Sequence, residues 1–588
     1  MNILEPNATF AERQAYFEAI KQRDKDANEG DTPQTAQVVP IKSGGPTLPN
    51  APGENNKQNT RAALADAARE ASKQAALDDL EAVVSHYTTF SAQTGETLAI
   101  IKSGRVDVVP VQSEAFGRRL KLDLFHHTGK TPSNTHLELL KDLTLERAEH
   151  RVRRVYKRIA QNGDNIILDL GDNEGRRLRV TAQGWQVEPG GEDFLYRRGK
   201  SYGTIDVPEA TGDAREAWRW LRPLLSRVPK QEHFRLVAWL VASALSEADY
   251  PIVLLVGPEG SAKSTLAQNL ATVLDPPQGL LPTVSTGSAK DIIAGIQGRH
   301  VCVLDNAPGK LNGDIEDTLC RISTGAQFEE RLLYTNFDVA SAELHAPLIV
   351  TAISHPFRQR DTRNRTIAIE IEALRDGFKR RTDVVDEIEH AIGQIRGAVL
   401  FFISTYLRHR DTILALETIP HRMVDWAVAG EAIARELGAE PGKFFAQIER
   451  KQRDDASDYL EGDLVGAALL RALQHWAAQA EKTEDLPANA KLQDLGWVAV
   501  QNAQGELTII ATPTAIQKEL MQRTLGNIIN LPNTARATTG AIQRLQGVLN
   551  RAGIRATSGR SKKARWWTFT CLLEVLTAVC PKIDAHSG

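Results

Sequence analysis

Cysteine is scarce: four residues in 588, Cys302, Cys320, Cys571 and Cys580, with no CxxC pair among them. That excludes a zinc ribbon and a disulfide scaffold, and it predicts a reduced, cytoplasmic chain. Long hydrophobic runs are missing as well. The longest apolar stretches, such as Leu236–Leu245, fall well short of the ~20 residues that a membrane span needs. The opening MNILEPNATFAERQ has no basic stretch followed by an apolar core, so no secretion signal is expected. Neither charge is in excess: 71 Lys plus Arg face 74 Asp plus Glu, a formal net charge of −3. A global basic field for nucleic acid is therefore excluded, and any such site must come from local asymmetry. His126-His127 and the other histidines lack metal-ligand spacing and read as surface or core positions. Cys302 and Cys320 read as small core residues. What remains is ordinary globular composition, 42% hydrophobic and 25% charged. At roughly 150 residues per domain the length predicts about four large segments.

Organisation follows from composition shifts. Residues 1–59 form an N-terminal segment and linker; the run Asp31–Asn59, rich in Pro, Gly, Asn and Gln, cannot bury enough apolar surface to order itself. Residues 60–87 are Ala-, Leu- and charge-rich and predict a helix capped by Thr60. Residues 88–212 predict a compact α+β accessory domain: a hairpin over 96–111, helices over 116–129 and 137–155, then short strands split by Gly, Asp and Asn. Residues 213–375 begin with helices and then alternate apolar runs with helical patterns, the mark of a doubly wound α/β core. Residues 376–457 read as helical, and 458–588 as a last unit with a tail.

The chemistry sits in the core. Gly257-Pro258-Glu259-Gly260-Ser261-Ala262-Lys263-Ser264-Thr265 follows the strand 252–256 and opens a helix. In that context backbone N–H groups converge on phosphate oxygens, Lys263 reaches the β and γ phosphates of ATP, and the Ser264 hydroxyl ligates Mg²⁺. Ala262 stands where such loops carry Gly; right-handed helical dihedrals, which Ala tolerates, are expected there. A second strand, His300–Asn306, ends in Asp305, placed to hold the metal through water. Asn306 occupies the position of a second acid, and an amide can orient water but cannot accept its proton. A base would then come from Glu259, Asp314 or Glu316.

Beyond Asp305 the order Leu319-Cys320-Arg321-Ile322-Ser323-Thr324-Gly325, Arg331-Leu332-Leu333-Tyr334-Thr335, Ala346–Thr351 and Arg363-Asn364-Arg365-Thr366 resembles superfamily III helicase domains of phage and plasmid primase-helicases, a branch of the AAA+ ATPases. It is similar, more closely, to a group of phage- and integrative-element-encoded ATP-binding proteins of primase/helicase-like type. In that group the Ala of the loop and the Asn after the acid are the norm. The resemblance spans roughly residues 110–450, with specific motifs over 250–370 and looser ones such as Ile167–Asp172 and His421–Trp426 outside. It implies that Thr351, where the family usually has Asn, senses the γ-phosphate. It also implies that Arg365 or Arg363 acts as an arginine finger across a subunit boundary, and that Arg321 or Arg331 faces the DNA channel or the nucleotide.

Between Glu519 and Glu574 there is no acid, while Arg523, Arg536, Arg544, Arg551, Arg555, Arg560, Lys562, Lys563 and Arg565 fall in that window. Residues 538–551 have helical apolar spacing; 554–557 and 565–569 read as two strands around a basic turn. A helix followed by a hairpin is the shape of a winged helix, with Arg544 and Arg551 on the helix and Arg560, Lys562, Lys563 and Arg565 at the turn as DNA contacts.

The sequence thus predicts an α/β P-loop, AAA+-like ATPase core with an N-terminal α+β domain and a C-terminal winged-helix-like domain. Its expected work is that of an ATP-dependent DNA helicase or replication-initiation ATPase of a phage or mobile element. ATP and Mg²⁺ are the expected cofactors. Expected partners are single-stranded or forked DNA, duplex DNA on the C-terminal domain, other copies in a ring, and a separate primase, since no primase carboxylate motif is present. The rival is a nucleotide-switched DNA-binding regulator or loader that does not unwind. A small-molecule kinase would leave the Thr-Gly, Arg-x-x-Tyr and Arg365 series without purpose.

Overall fold

The computed structural model describes residues 77–199, 201–279, 286–331, 339–373, 381–483, 492, 496–523, 531–560 and 565–579. The expected disordered segment 1–59, most of the helix expected over 60–87, Tyr334-Thr335, Lys562 and Lys563 lie outside the described residues.

Residues 77–85 are helical and lead into a four-stranded sheet. Its strands Arg105–Pro110, Thr97–Ser103 and Thr88–Ala92 run antiparallel, and Glu149–Arg153 joins the last in parallel. Helices Glu114–Thr128 and Asn134–Glu146 cover it through Phe116, Leu120, Leu124, Leu140 and Leu143. The helix expected over 137–155 is therefore shorter. It stops at Arg147, and the alternating residues of Glu149–Arg153 find an open strand edge, where backbone pairing outweighs helix propensity. A second antiparallel meander, Ile159–Asn162, Asn165–Asp169, Arg176–Thr181 and Gly184–Pro189, follows.

The central sheet is wholly parallel, in the order Cys302–Ala307, Leu348–Ala352, Ile252–Val256, Thr366–Glu370. A strand late in the sequence is thus inserted between the strand feeding the phosphate loop and the strand ending in Asp305. Near-continuous apolar runs such as IVLLV suit a sheet covered on both faces. One face packs on helices His233–Ala242, Lys263–Leu274, Arg381–Leu416 and Val424–Glu436; the other packs on Ala289–Ile296 and Gly313–Thr324. The hairpin Ala326–Arg331 with Val339–Leu344 joins this unit through Leu344 and Ala326.

A buried polar network ties the meander to the core. Arg158, fully buried, donates to Asp275 Oδ1 at 3.1 Å and to the Gly203 carbonyl at 2.9 Å, with the Tyr202 ring 3.5 Å away. Asp275 closes the helix Lys263–Leu274, and its Oδ2 accepts from the His300 N–H at 2.8 Å and from the Val301 N–H. One carboxylate therefore fixes both the end of the loop helix and the start of the strand that carries Asp305.

The helix Lys443–Gly462 is shared between two cores. Phe444, Phe445 and Ile448 pack in the main core, whereas Ala456 and Leu460 pack in the C-terminal one. It runs across the expected boundary at 457/458, so the C-terminal unit takes its first core residues from a helix rooted in its neighbour. That unit continues with Leu464–Ala477, Pro513–Arg523, Ala535–Arg551 and a five-stranded sheet that includes the antiparallel pair Arg555–Arg560 and Arg565–Leu572. Among the described residues, no helix is long and apolar enough to cross a membrane.

Candidate nucleotide site

The loop after Val256 bends because its backbone leaves the ordinary regions. At Gly257 a side chain would collide with the Ile371 carbonyl at 2.2 Å, and Gly260 has φ +73°. Ala262 adopts φ 68°, ψ 23°, left-handed and not the right-handed conformation expected from its identity. The turn that aims the following amides requires a positive φ, and here Ala accepts a conformation that Gly adopts without cost. Ala262 N-caps the helix without any side-chain hydrogen bond, leaving the first-turn N–H groups for an outside acceptor. Lys263 curls back over the loop, its Nζ donating to the carbonyls of Gly257 at 2.8 Å and Pro258 at 2.7 Å. Burial pushes its pKa down, opposed by Asp305 and Glu259. Pro258, Glu259 and Gly260 are exposed, Ser261 is buried, and Thr265 begins the helix with Lys263 and Ser264.

Asp305 is the meeting point. Its Oδ1 accepts from the Ser264 hydroxyl at 2.7 Å and from the Thr351 hydroxyl at 2.6 Å. Thr351, buried on the inserted strand, accepts in turn from the Asn306 N–H at 2.8 Å. The register between the two strands slips between Leu304 and Ala307, and Asn306 sits in that slip at φ 58°. Among the described residues, Ala262 and Asn306 are the two non-glycine residues with positive φ. Such outliers concentrate where surrounding structure imposes a geometry for use. The donors Ser264 and Asp305 are hard oxygens, the chemistry that Mg²⁺ takes with phosphate and water completing its shell.

The other sequence candidates separate into groups. Glu316 is buried, and its two oxygens each accept a backbone N–H, from Arg358 and Gln359, both at 2.9 Å. It is thus committed to holding the segment 358–365 and drops out as a base, while Glu259 and Asp314 are exposed. Sequence reasoning missed this positioning role; an acid at the fourth helical position offers no distinguishing signal. Arg365 is 12% exposed and pairs with Asp361 at 3.0 Å; Asp361 also pairs with Arg422 at 2.6 Å. Arg363 donates to the Phe357 carbonyl. Both arginines precede the strand Thr366–Glu370, at the end of the parallel sheet away from the loop, and neither joins the Asp305 cluster. Arg321 is exposed, and the Arg331 side chain lies outside the described residues.

On the C-terminal unit Arg536, Arg544, Arg555, Arg560 and Arg565 are exposed and form no ion pair among the described residues. Arg551 lies at the inner end of the helix Ala535–Arg551, against the core. It is half-buried, donating to the Asn364 side chain and to the Gly547 carbonyl. Trp567 packs in the core of the unit and Trp566 lies over Gly559.

The parallel sheet, with a glycine-rich loop on one central strand and a hydroxyl–carboxylate cluster beside it, defines a mixed α/β protein. Residues 225–435 match the family of actinomycete integrative conjugative element replication proteins, and in that segment the chain is similar to them. Among curated proteins none matches the chain. Among solved structures it is similar to an active helicase, SCCmec type IV Cch, at 13% identity and TM-score 0.38, covering 84% of this chain and 93% of that one. It is also similar to the apo A form of the NrS-1 C-terminal region, at 11% identity and TM-score 0.39, covering 83% and 96%.

Proposed function

We propose that the chain is an ATP-driven DNA helicase or replication-initiation ATPase of a mobile genetic element. The observation that carries this is the hydroxyl–carboxylate cluster of Ser264, Asp305 and Thr351 beside an uncapped helix N-terminus, with the two left-handed residues flanking it. The match of residues 225–435 to a replication-protein family supports the biological setting.

In this reading Lys263 leaves the Gly257 and Pro258 carbonyls and moves its ammonium to the β and γ phosphates. The first-turn amides of Lys263–Leu274 receive the same anion, and Gly257 through Thr265 wrap it. Mg²⁺, when bound with ATP, neutralises developing charge on the phosphoryl oxygens, and Ser264 with Asp305 would hold it. Thr351 keeps Asp305 and the Asn306 peptide in register. Asn306 orients the attacking water, and its proton goes to Glu259, Asp314 or solvent, since an amide does not take it. Arg365 or Arg363 serves a nucleotide on an adjacent copy in a ring. Single-stranded or forked DNA is the track, duplex DNA the ligand of the C-terminal unit, and a separate primase the partner that supplies primers.

A second reading, a nucleotide-switched regulator or loader, is favoured by one observation: the amide at Asn306 in place of an acid. Unwinding of a forked duplex separates the two. For either, Lys263→Ala and Asp305→Ala are expected to abolish ATP hydrolysis with the fold intact by circular dichroism; wild-type turnover in Lys263→Ala would sink both. Arg365→Ala is expected to bind ATP and hydrolyse it roughly 10³-fold more slowly, with partial rescue on mixing with Lys263→Ala.

A further inference from the structure

The short helix Arg360–Asn364, which follows the Thr351 strand, touches the C-terminal half of the helix Ala535–Arg551 through its side chains. The fit depends on Gly547: a side chain there would meet Arg360 Nη2 at 1.9 Å, so the guanidinium lies directly on the helix backbone. One turn further along, Arg551 donates to the Asn364 side chain. Two guanidinium groups are therefore drawn together across the junction. Among the described residues no carboxylate pairs with either. Asp361 is taken by Arg365 and Arg422, and Asp455, the acid that acts on Arg551, pairs with Lys451 at 3.3 Å. Burial lowers the Arg551 pKa, and the charge of Arg360 lowers it further. Among the described residues neither Arg360 nor Arg551 forms an ion pair. Like charges so placed are stabilised by an anion, and paired guanidinium forks fit phosphate oxygens.

The surroundings indicate which phosphate. Arg544 precedes Gly547 by one turn and Arg536 by three; Arg536 and Arg544 are exposed, and Gly540 between them faces open space. At i, i+4, i+8, i+11 and i+15 the positions 536, 540, 544, 547 and 551 share one helix face. That face runs from solvent to the Arg360 contact without an acid.

We propose that the junction of Arg360 with Gly547 and Arg551 is a phosphate-binding site for the backbone of duplex DNA, completing on the ATPase core the cationic line of the C-terminal helix. This rests on the reading of the C-terminal unit as DNA-binding. A duplex held there touches the core at the segment that Glu316 fixes, so one phosphate joins module and core.

The test is anisotropy of a labelled duplex with the full chain, without nucleotide, over a salt series. Arg360→Ala is expected to weaken binding and to reduce the log–log salt slope by ~0.9, one phosphate contact. Gly547→Glu pushes the Arg360 guanidinium off the helix backbone and leaves a carboxylate beside Arg551; binding and slope are expected to fall while circular dichroism shows the fold retained, which separates the effect from misfolding. Wild-type affinity and slope in both variants would overturn the proposal. So would wild-type duplex binding combined with slowed ATP turnover in Arg360→Ala, because the phosphate would then be that of a nucleotide on another copy. If the wild-type chain binds no duplex at low salt, the reading of the C-terminal unit falls as well; if it binds and the variants match it, this site alone falls.

Discussion

Ala262 shows how a single residue can be recognised and still misjudged. The loop is legible because Gly, Lys and Ser stand at fixed offsets after an apolar strand. The backbone angle is not legible, because left-handed geometry comes from the turn's closure and not from the residue that fills it. Replacing Ala262 by Gly relieves a conformation that costs an L-residue ~1–2 kcal/mol, partly offset by ~0.4–1 kcal/mol of added unfolded-chain entropy. Urea denaturation of Ala262→Gly is therefore expected to give equal or greater stability, by up to about 1.6 kcal/mol, with ATP turnover retained. His300 offers a second test. It is buried, its Nε2 is 2.6 Å from the Ser243 carbonyl, and burial pushes its pKa down to about 4 from 6.5. Between those values the unfolded chain holds a proton that the folded chain refuses, so stability falls as pH drops through that window. From this residue alone a loss on the order of 2 kcal/mol is expected between pH 7 and pH 5. Denaturation at the two pH values should show a smaller loss in His300→Gln, whose amide keeps the donor without titrating.

At the scale of elements, the strands of the parallel sheet were readable from apolar runs bounded by turns, and the loop helix from its position after one of them. Their order was not readable, since insertion of Leu348–Ala352 between two earlier strands is a tertiary choice. That insertion is what brings Thr351 to Asp305. The strand Glu149–Arg153 hid inside a helical pattern for a related reason: the edge it pairs with lies about sixty residues earlier. Glu316 belongs to this scale as well, because its carboxylate ties the helix Gly313–Thr324 to the segment carrying Arg358 through Arg365. Glu316→Ala removes the acceptor of two part-buried backbone N–H groups and frees the segment they hold. ATP binding by this variant is expected to persist while turnover falls, read by nucleotide titration beside steady-state hydrolysis. Wild-type turnover would mean that the segment holds its shape unaided.

Across the whole molecule, composition is a poor guide to how the segments join. The Arg158–Asp275 pair is a contact between residues 117 apart in sequence, and nothing in either neighbourhood announces it. The acid-free window near the C-terminus was plain in the sequence; that Arg551 would turn inward against Asn364 was not, because the surface it meets lies on another segment. The helix Lys443–Gly462 adds a mechanical consequence. A 20-residue helix anchored at both ends is a rod of about 30 Å, where a bead-on-a-string arrangement would have placed a tether. A tilt of ~10° about its first turns would swing its far end by ~5 Å. If the chain works as proposed, small rearrangements of the main core would therefore arrive at the C-terminal unit as a stroke, whereas a loose leash would dissipate them.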